Sequence, residues 1–199
     1  MTLISPPVSI SKPAIWTLEQ GSKLIRFCDQ TRGGWDAHRF YGPLPSQRFD
    51  HHAPPLCVSL DRSVWYAATS LVGAVAEAFG NLGVVDRACG RHVALVQIVR
   101  PLILMNLVGV SARRVGLTQE VGSSTDYAKT QEWARAFYDQ CGTLMGIRWR
   151  GRQAGSICFV LHDRATMSDL ALVSDHNISD PRVWPRIVKA ARACSLSVI

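Results

Sequence analysis

No apolar run in this chain of 199 residues approaches the ~20 that a membrane-spanning helix needs. The stretch Met1 to Pro13 has neither the basic start nor the apolar core of a secretory leader, so a cytoplasmic protein is expected. Its six cysteines form no CxxC pair, and several lie in apolar context, which points to buried free thiols over disulfides or a zinc site. The usual chemical signatures are missing as well. No GxGxxG opens a helix after a strand, and GxxxxGK[ST], HExxH and GxSxG do not occur. His51-His52 with Cys57 has no second ligand pair at a matching spacing, so a solvated loop and no metal are expected there.

Acid is in short supply: 15 Asp and Glu stand against 22 Lys and Arg, for a net charge of +7. That excess implies acidic company, and nucleic acid, a phosphorylated small molecule or an acidic protein would each satisfy it. Hydrophobic residues make up 47% and charged residues 19%, a globular rather than disordered balance, and the length suits one domain with its own core.

What is present is organised around Val64-Trp65-Tyr66-Ala67-Ala68-Thr69-Ser70-Leu71-Val72-Gly73-Ala74-Val75-Ala76-Glu77-Ala78-Phe79. Its first half is β-branched and aromatic, like a buried strand. Thr69 or Ser70 can cap a following helix, on which Leu71, Val75, Ala78 and Phe79 recur at helical spacing. Glu77 falls among small apolar residues, where a carboxylate is costly without a partner or a task. Read alone, it is equally well a solvent-facing glutamate.

Residues 1–22, with Pro6, Pro7 and Pro13, read as an arm draped on the domain, with a short helix or turn around Trp16 to Gln20. Lys23 to Cys28 is a candidate strand with Arg26 among apolar neighbours. Gly33 to Pro55 is loop-like yet carries Trp35, Phe40, Tyr41, Arg48 and Phe49, and loops of that content are usually functional. His92 to Val99 reads as a central strand, Leu102 to Leu107 as its continuation or another strand, and Ser111 to Thr118 as a short helix. A helix is expected over Lys129 to Gln140, strands at Ile147 to Arg150 and Ser156 to Leu161, and a last helix over Pro185 to Ser195. Arg148, Arg150 and Arg152 alternate and so share one side of a strand, either as a phosphate or nucleic-acid stripe or as a solvated face. The fold class is α+β: a single domain with a mixed or antiparallel central sheet and flanking helices.

Arg26, Arg48-Phe49-Asp50, Val64 to Ala68 with Ala74 to Glu77, Tyr127, Thr130 to Ala134 and Gly146 to Arg150 together resemble the RES-domain family. These are toxins of bacterial toxin–antitoxin pairs whose partner is an Xre-type helix-turn-helix antitoxin. The resemblance runs from about Leu24 to Leu161, which sets the arm at 1–22 and the RES domain at 23–199. It implies an ADP-ribosyltransferase-like fold and breakdown of NAD⁺ at the nicotinamide–ribose bond. The family is named for an Arg, a Glu and a Ser. Arg26 matches the Arg, Glu77 the Glu, and Tyr66 an aromatic residue of the pocket. Where the Ser is expected stand Ala128 and Lys129, with Ser123 and Ser124 just before, and Gly151 occupies a second place where relatives carry Ser. Ser123 or Ser124 takes that role, or this branch does without it.

The implied roles suit the chemistry. Glu77 would stabilise an oxocarbenium-like ribose and grip a ribose hydroxyl. Arg26, with Arg48, would hold the pyrophosphate, and Tyr66, with Phe49 or Trp35, would stack on the cationic nicotinamide ring. NAD⁺ is then a substrate and no cofactor is required; water or inorganic phosphate would be the acceptor. Direct nucleic-acid binding and membrane association are not expected, and assembly into a homo-oligomer is left open. An ADP-ribosyltransferase acting on a protein or nucleotide, a nucleic-acid-binding module and a catalytically weak nucleotide binder are the alternatives.

Overall fold

A computed structural model describes residues 3–29, 37–38, 40, 46–52, 61–152 and 154–199. In chain order the elements are β1 (Ile15–Leu18), β2 (Lys23–Asp29), β3 (Val64–Ala68), α1 (Leu71–Phe79), β4 (Val84–Val85), β5 (Arg91–Ile98), β6 (Leu102–Asn106), α2 (Tyr127–Gln140), β7 (Gly146–Arg150), β8 (Ile157–His162), β9 (Leu170–Asn177), α3 (Trp184–Ala193) and β10 (Ser197–Val198). Eight strands form one sheet in the order β1-β6-β7-β8-β3-β2-β5-β9, while β10 pairs with β4. Within the large sheet β6 and β7 run parallel and the other neighbours antiparallel. The architecture is the mixed α+β one expected.

The strand-to-helix unit forms as its pattern requires. Of the two candidate caps Ser70 is the one used: its hydroxyl accepts from the Gly73 N–H at 3.1 Å. Gly73 itself is there for space, since a Cβ would lie 2.5 Å from Ser156 Cβ, so its absence lets α1 settle onto the start of β8. The buried side of α1, with Val75 and Phe79, packs with Ile187, Ala190 and Ala191 of α3. No described helix is long and apolar enough to cross a membrane.

The site is positioned by a parting in the sheet. β2 shares seven register pairs with β5, and β3 shares five with β8, yet β2 and β3 meet only at Ile25 and Ala68. Past that pair the two strands part. Strand alternation keeps Leu24 with Trp65 and Phe159 on one face of the sheet, and Tyr66 with Phe49, Trp133 and Trp149 on the other.

Several expectations are corrected. Trp16 to Leu18 is extended rather than helical, because the backbone of residues 15–18 pairs with β6 and the Trp16 ring stacks on Phe159 at 5.7 Å; the turn comes just after, where the Ser22 N–H donates to the Glu19 carbonyl at 3.1 Å. Residues upstream do drape on the domain, with the Trp133 indole N–H donating to the Ile4 carbonyl and Gln140 bonding Ile10 and Pro7. β5 is second from one edge rather than central, and Leu102 onward is a separate strand. The short helix expected over Ser111 to Thr118 is present as a 3₁₀ helix and lies slightly earlier, over Gly109–Val115. β9 lacked a strand signal because it is an edge strand whose Ala171, Leu172 and Val173 are all exposed, with a bulge where its register shifts opposite Leu95 and Val96. Arg148 and Arg150 share one side of β7, close enough for the Arg150 charge to act on Arg148, but Arg152 does not continue the row. Arg148 lies over Trp16 and donates to Asn106, Arg150 donates to the Gly155 carbonyl, and Arg152 falls beyond the strand. The described cysteines are free thiols, with Cys28 and Cys158 buried; Cys57, like Trp35 and Tyr41, lies outside the described residues.

The largest correction concerns His51 and His52, which are buried rather than solvated. His51 packs against Tyr138 and His162 with ring centres 4.2 and 4.3 Å apart, and its Nε2 bonds Asp163 at 2.8 Å. Asp163 also accepts from the Tyr138 hydroxyl, and burial together with that bond pushes the phenol up to about 12. Neither ring nitrogen of His162 has a hydrogen-bond partner, and burial, seconded by His51, lowers its affinity for a proton well below the ordinary histidine value. The unfolded chain therefore binds this proton at a higher pH than the folded one does. Stability should be full above the unfolded histidine pKa of ~6.5 and decline as pH falls below it. Replacing His162 by Phe should add about 1 kcal/mol at pH 7.5, because two unmet polar atoms leave the core, and should flatten the decline between pH 6.5 and 5. Denaturant unfolding at three pH values measures both.

Candidate functional site

The gap between β2 and β3 opens into a cavity of about 500 Å³. Ile25 to Asp29 form one wall, Tyr66 to Ala68 another, and α1 closes it from above. Ala74 and Ala78 flank Glu77 at helical spacing on α1, and their small side chains leave the volume that larger residues would fill. Glu77 points into this space.

Glu77 presents exposed surface to the cavity, yet the walls displace enough water to push its carboxyl above the ordinary range. The Arg48 charge and a bond from the Arg152 backbone N–H pull the other way. Cys158 lies beside it, and burial together with the Glu77 charge raises that thiol far out of the physiological range, so it is not a nucleophile here.

Arg48 enters from the loop before β3. It is buried, donates through Nη1 to the Ser124 carbonyl, and stands with its guanidinium carbon 5.3 Å from the centre of the Tyr127 ring. Asp50 holds this loop in shape. One of its oxygens accepts from the backbone N–H groups of Ser46 at 2.5 Å and Gln47 at 2.7 Å; the other accepts from the Tyr66 hydroxyl at 2.8 Å. The same hydroxyl accepts from the Phe49 N–H at 3.0 Å. Burial raises Asp50 and these bonds lower it, while burial and the Asp50 charge keep the Tyr66 phenol protonated. On the far side of the loop, the Gln131 amide of α2 donates to the Gln47 carbonyl at 2.8 Å. The residues of the Arg48-Phe49-Asp50 motif are thus one device, which hangs the arginine over the cavity from Tyr66.

Glu77, Arg48 and Tyr66 are therefore brought together. Arg26 is not brought to the same side: alternation along β2 turns it with Leu24 and Cys28 toward Trp65, whose ring centre is 5.2 Å from the guanidinium carbon, and Nη1 lies 3.4 Å from the Ala37 carbonyl. It borders the cavity where the strands part. Phe49 is a core residue edge-on to Trp149 at 4.9 Å, and its ring is not part of the wall. Ser123 and Ser124 bond Glu120 and Asp126 within their own turn, and only the Ser124 carbonyl reaches the site, through Arg48. Trp35 lies outside the described residues. Sequence reasoning missed Ser46 and Gln47, which line the cavity and directly precede Arg48, as well as Asn81 and Arg91; Arg152, singled out only with Arg148 and Arg150, lines the cavity without them. Tyr127 stood in the matched pattern without a role. Among the described residues no group of three or more His, Cys, Asp or Glu side chains is arranged to hold a metal ion.

A family model described as the RES domain matches residues 23–182. The chain belongs to the RES-domain family. Among solved structures, this RES domain is similar to a chain from "Crystal structure of the M.tuberculosis MbcT-MbcA toxin-antitoxin complex", with a TM-score of 0.60 and 17% identity over 86% of this chain and 91% of that one. That likeness is one of fold. No curated protein matches.

Tyr66→Phe is the direct test of how the RES cavity is built. Loss of one hydroxyl strands both a buried carboxylate oxygen and the Phe49 N–H, so unfolding free energy should fall by about 1–3 kcal/mol, measured by urea denaturation. An unchanged stability would mean that Asp50 holds the loop without Tyr66.

Proposed function

We propose that this RES domain cleaves NAD⁺ between nicotinamide and ribose. The observation that carries the reading is the Glu77 carboxylate facing a cavity whose charged walls include Arg48 and Arg152. A dinucleotide brings two phosphates and a cationic ring, and such a wall suits both: guanidinium groups for the pyrophosphate, a carboxylate and aromatic faces for the nicotinamide riboside. As the glycosidic bond breaks, its electron pair goes to the nicotinamide nitrogen, which leaves neutral. The positive charge passes to the ribose, beside the Glu77 carboxylate. Water then adds to the anomeric carbon and gives up a proton, leaving ADP-ribose; phosphate in its place leaves the phosphorylated sugar. Arg26 at the margin of the split would serve the far end of the dinucleotide.

Within the cell this activity would be that of a toxin, held in check by an Xre-type antitoxin. The family match and the likeness to a chain of a toxin–antitoxin complex support that reading. The net charge of +7 suits both an anionic substrate and an acidic antitoxin surface.

Glu77→Gln should reduce NAD⁺ loss and nicotinamide release by about 10²-fold or more, with an unchanged circular dichroism spectrum. Because Glu77 acts as an anion and burial raises its pKa, wild-type turnover should fall with acidification at a higher pH than an ordinary glutamate would give, and residual activity of the variant should lack that step. A well-folded Glu77→Gln protein with full activity would sink the assignment. Transfer of the ADP-ribose label from NAD⁺ to a macromolecule, with nicotinamide still released but no free ADP-ribose formed, would turn the reading to ADP-ribosyl transfer.

A further inference from the structure

Arg91, the first residue of β5, lies on the β2 side of the cavity, across from Arg48, with Asn81 and Leu82 beside it just past α1. Its Nη1 donates to the Ala78 carbonyl at 2.8 Å, and its guanidinium carbon stands 4.6 Å from the centre of the Phe79 ring. Phe79 is buried and met edge-on by Phe27 at 5.1 Å, so the ring is a fixed support. The build of Arg48 is thus repeated: there too a guanidinium is held by a backbone carbonyl, that of Ser124, and by an aromatic ring, that of Tyr127. A ring and a carbonyl orient a guanidinium without neutralising it, as a carboxylate would. Asp29, the ladder partner of Arg91, lines the same end of the cavity, but among the described residues Arg91 makes no ion pair. Its charge and the rest of its donor fork remain for a ligand. Tying down the end of α1 accounts for the Ala78 bond alone; it does not account for a cation set inside a cavity that already holds one of the same build.

Position separates the two arginines. The Glu77 carboxylate lies on the β8 side, next to Cys158 and the Arg152 N–H, and feels the Arg48 charge. Arg91 comes from β5, three strands away in the order β8-β3-β2-β5, roughly 14 Å at the ordinary strand spacing. It pairs with Asp29 and not with Ile25, where β2 and β3 join, so it stands toward the open end of the split.

We infer that Arg91 is a second anion-binding arginine, which takes the substrate phosphate farther from the bond beside Glu77 and makes the cavity select a dinucleotide over a mononucleotide. The inference rests on the reading of the substrate as NAD⁺. That molecule carries one phosphate on the nicotinamide riboside and one on the adenosine, and the two walls supply a ring-backed arginine for each. Nicotinamide mononucleotide ends after the first phosphate and does not reach Arg91. Asn81 and the exposed Leu82 stand where the adenosine follows, an amide and an apolar side chain against a base.

The test measures dissociation constants by calorimetry for NAD⁺ and for its halves, nicotinamide mononucleotide and AMP, in a Glu77→Gln background that holds ligands without turning them over. Adding Arg91→Gln, whose amide can still donate to the Ala78 carbonyl, should weaken NAD⁺ and AMP by about 10-fold or more, the scale of a charge-assisted bond, and leave nicotinamide mononucleotide within about twofold. Arg91→Lys keeps the charge without the fork and should lie between. Loss shared by all three ligands, loss confined to the mononucleotide, or no loss would overturn the inference. Should Arg91→Gln fail to fold, Arg91→Lys carries the same comparison with a smaller loss.

The reaction is read separately, from NAD⁺ loss in Arg91→Gln alone, where the effect should fall on KM by the same factor and not on kcat. Selective loss of NAD⁺ and AMP binding, in a protein whose wild type leaves NAD⁺ intact, would keep Arg91 and refute the proposed cleavage. Cleavage by the wild type with unchanged binding in the variant would refute Arg91 alone. A wild type that binds neither NAD⁺ nor AMP would remove both.

Discussion

A sheet that parts between two of its strands must be held together by something other than its ladder. Here β2 and β3 meet at one register pair, and each is anchored instead by its outer neighbour, β5 on one side and β8 on the other. The gap exposes backbone and side chains that a closed sheet would bury, and both the cavity and the role of the 46–52 loop follow from it. Asp50 spans from that loop to Tyr66 of β3, so the loop is fixed to the same strand whose departure from β2 makes the space.

Charge within the cavity is set by the same geometry. One carboxylate is placed where water is thinned but not removed, near a buried guanidinium, with a thiol beside it that stays neutral. Burial raises the acid while the Arg48 charge and the Arg152 backbone lower it, and the balance leaves a group that responds to whatever charge a ligand brings. Trp149 lines the cavity and is backed by Phe49, which packs edge-on against it in the core.

The helix bearing Glu77 was legible because capping, spacing and small residues all agreed on it, and local consistency of that kind is what makes a segment readable. The grouping of Glu77, Arg48 and Tyr66 came from matching short motifs rather than from periodicity. Arg26 shows where this stops: its chemistry was plain, but the face it occupies depends on which side of β2 holds the gap, and that is decided by partners far along the chain. Ser46 and Gln47 belong to a loop with no period to read. β9 escaped notice because an exposed, bulged edge has no alternation. His51 and His52 looked like surface residues since histidine pairs in polar loops usually are; the stack with His162 and Tyr138 exists only once β8 and α2 are in place.

The single pair joining β2 to β3 also fixes an order of events during synthesis. Residues 25–29 and 66–68 are made before their partners: β3 finds its ladder partner only in residues 158–162, and β1 waits for β6. Contacts so distant in the chain close late. A chain that stops before β8 carries the glutamate, the arginines and the tyrosine but lacks the strand along which all of β3 pairs, so the wall of the cavity cannot form until that strand has been made.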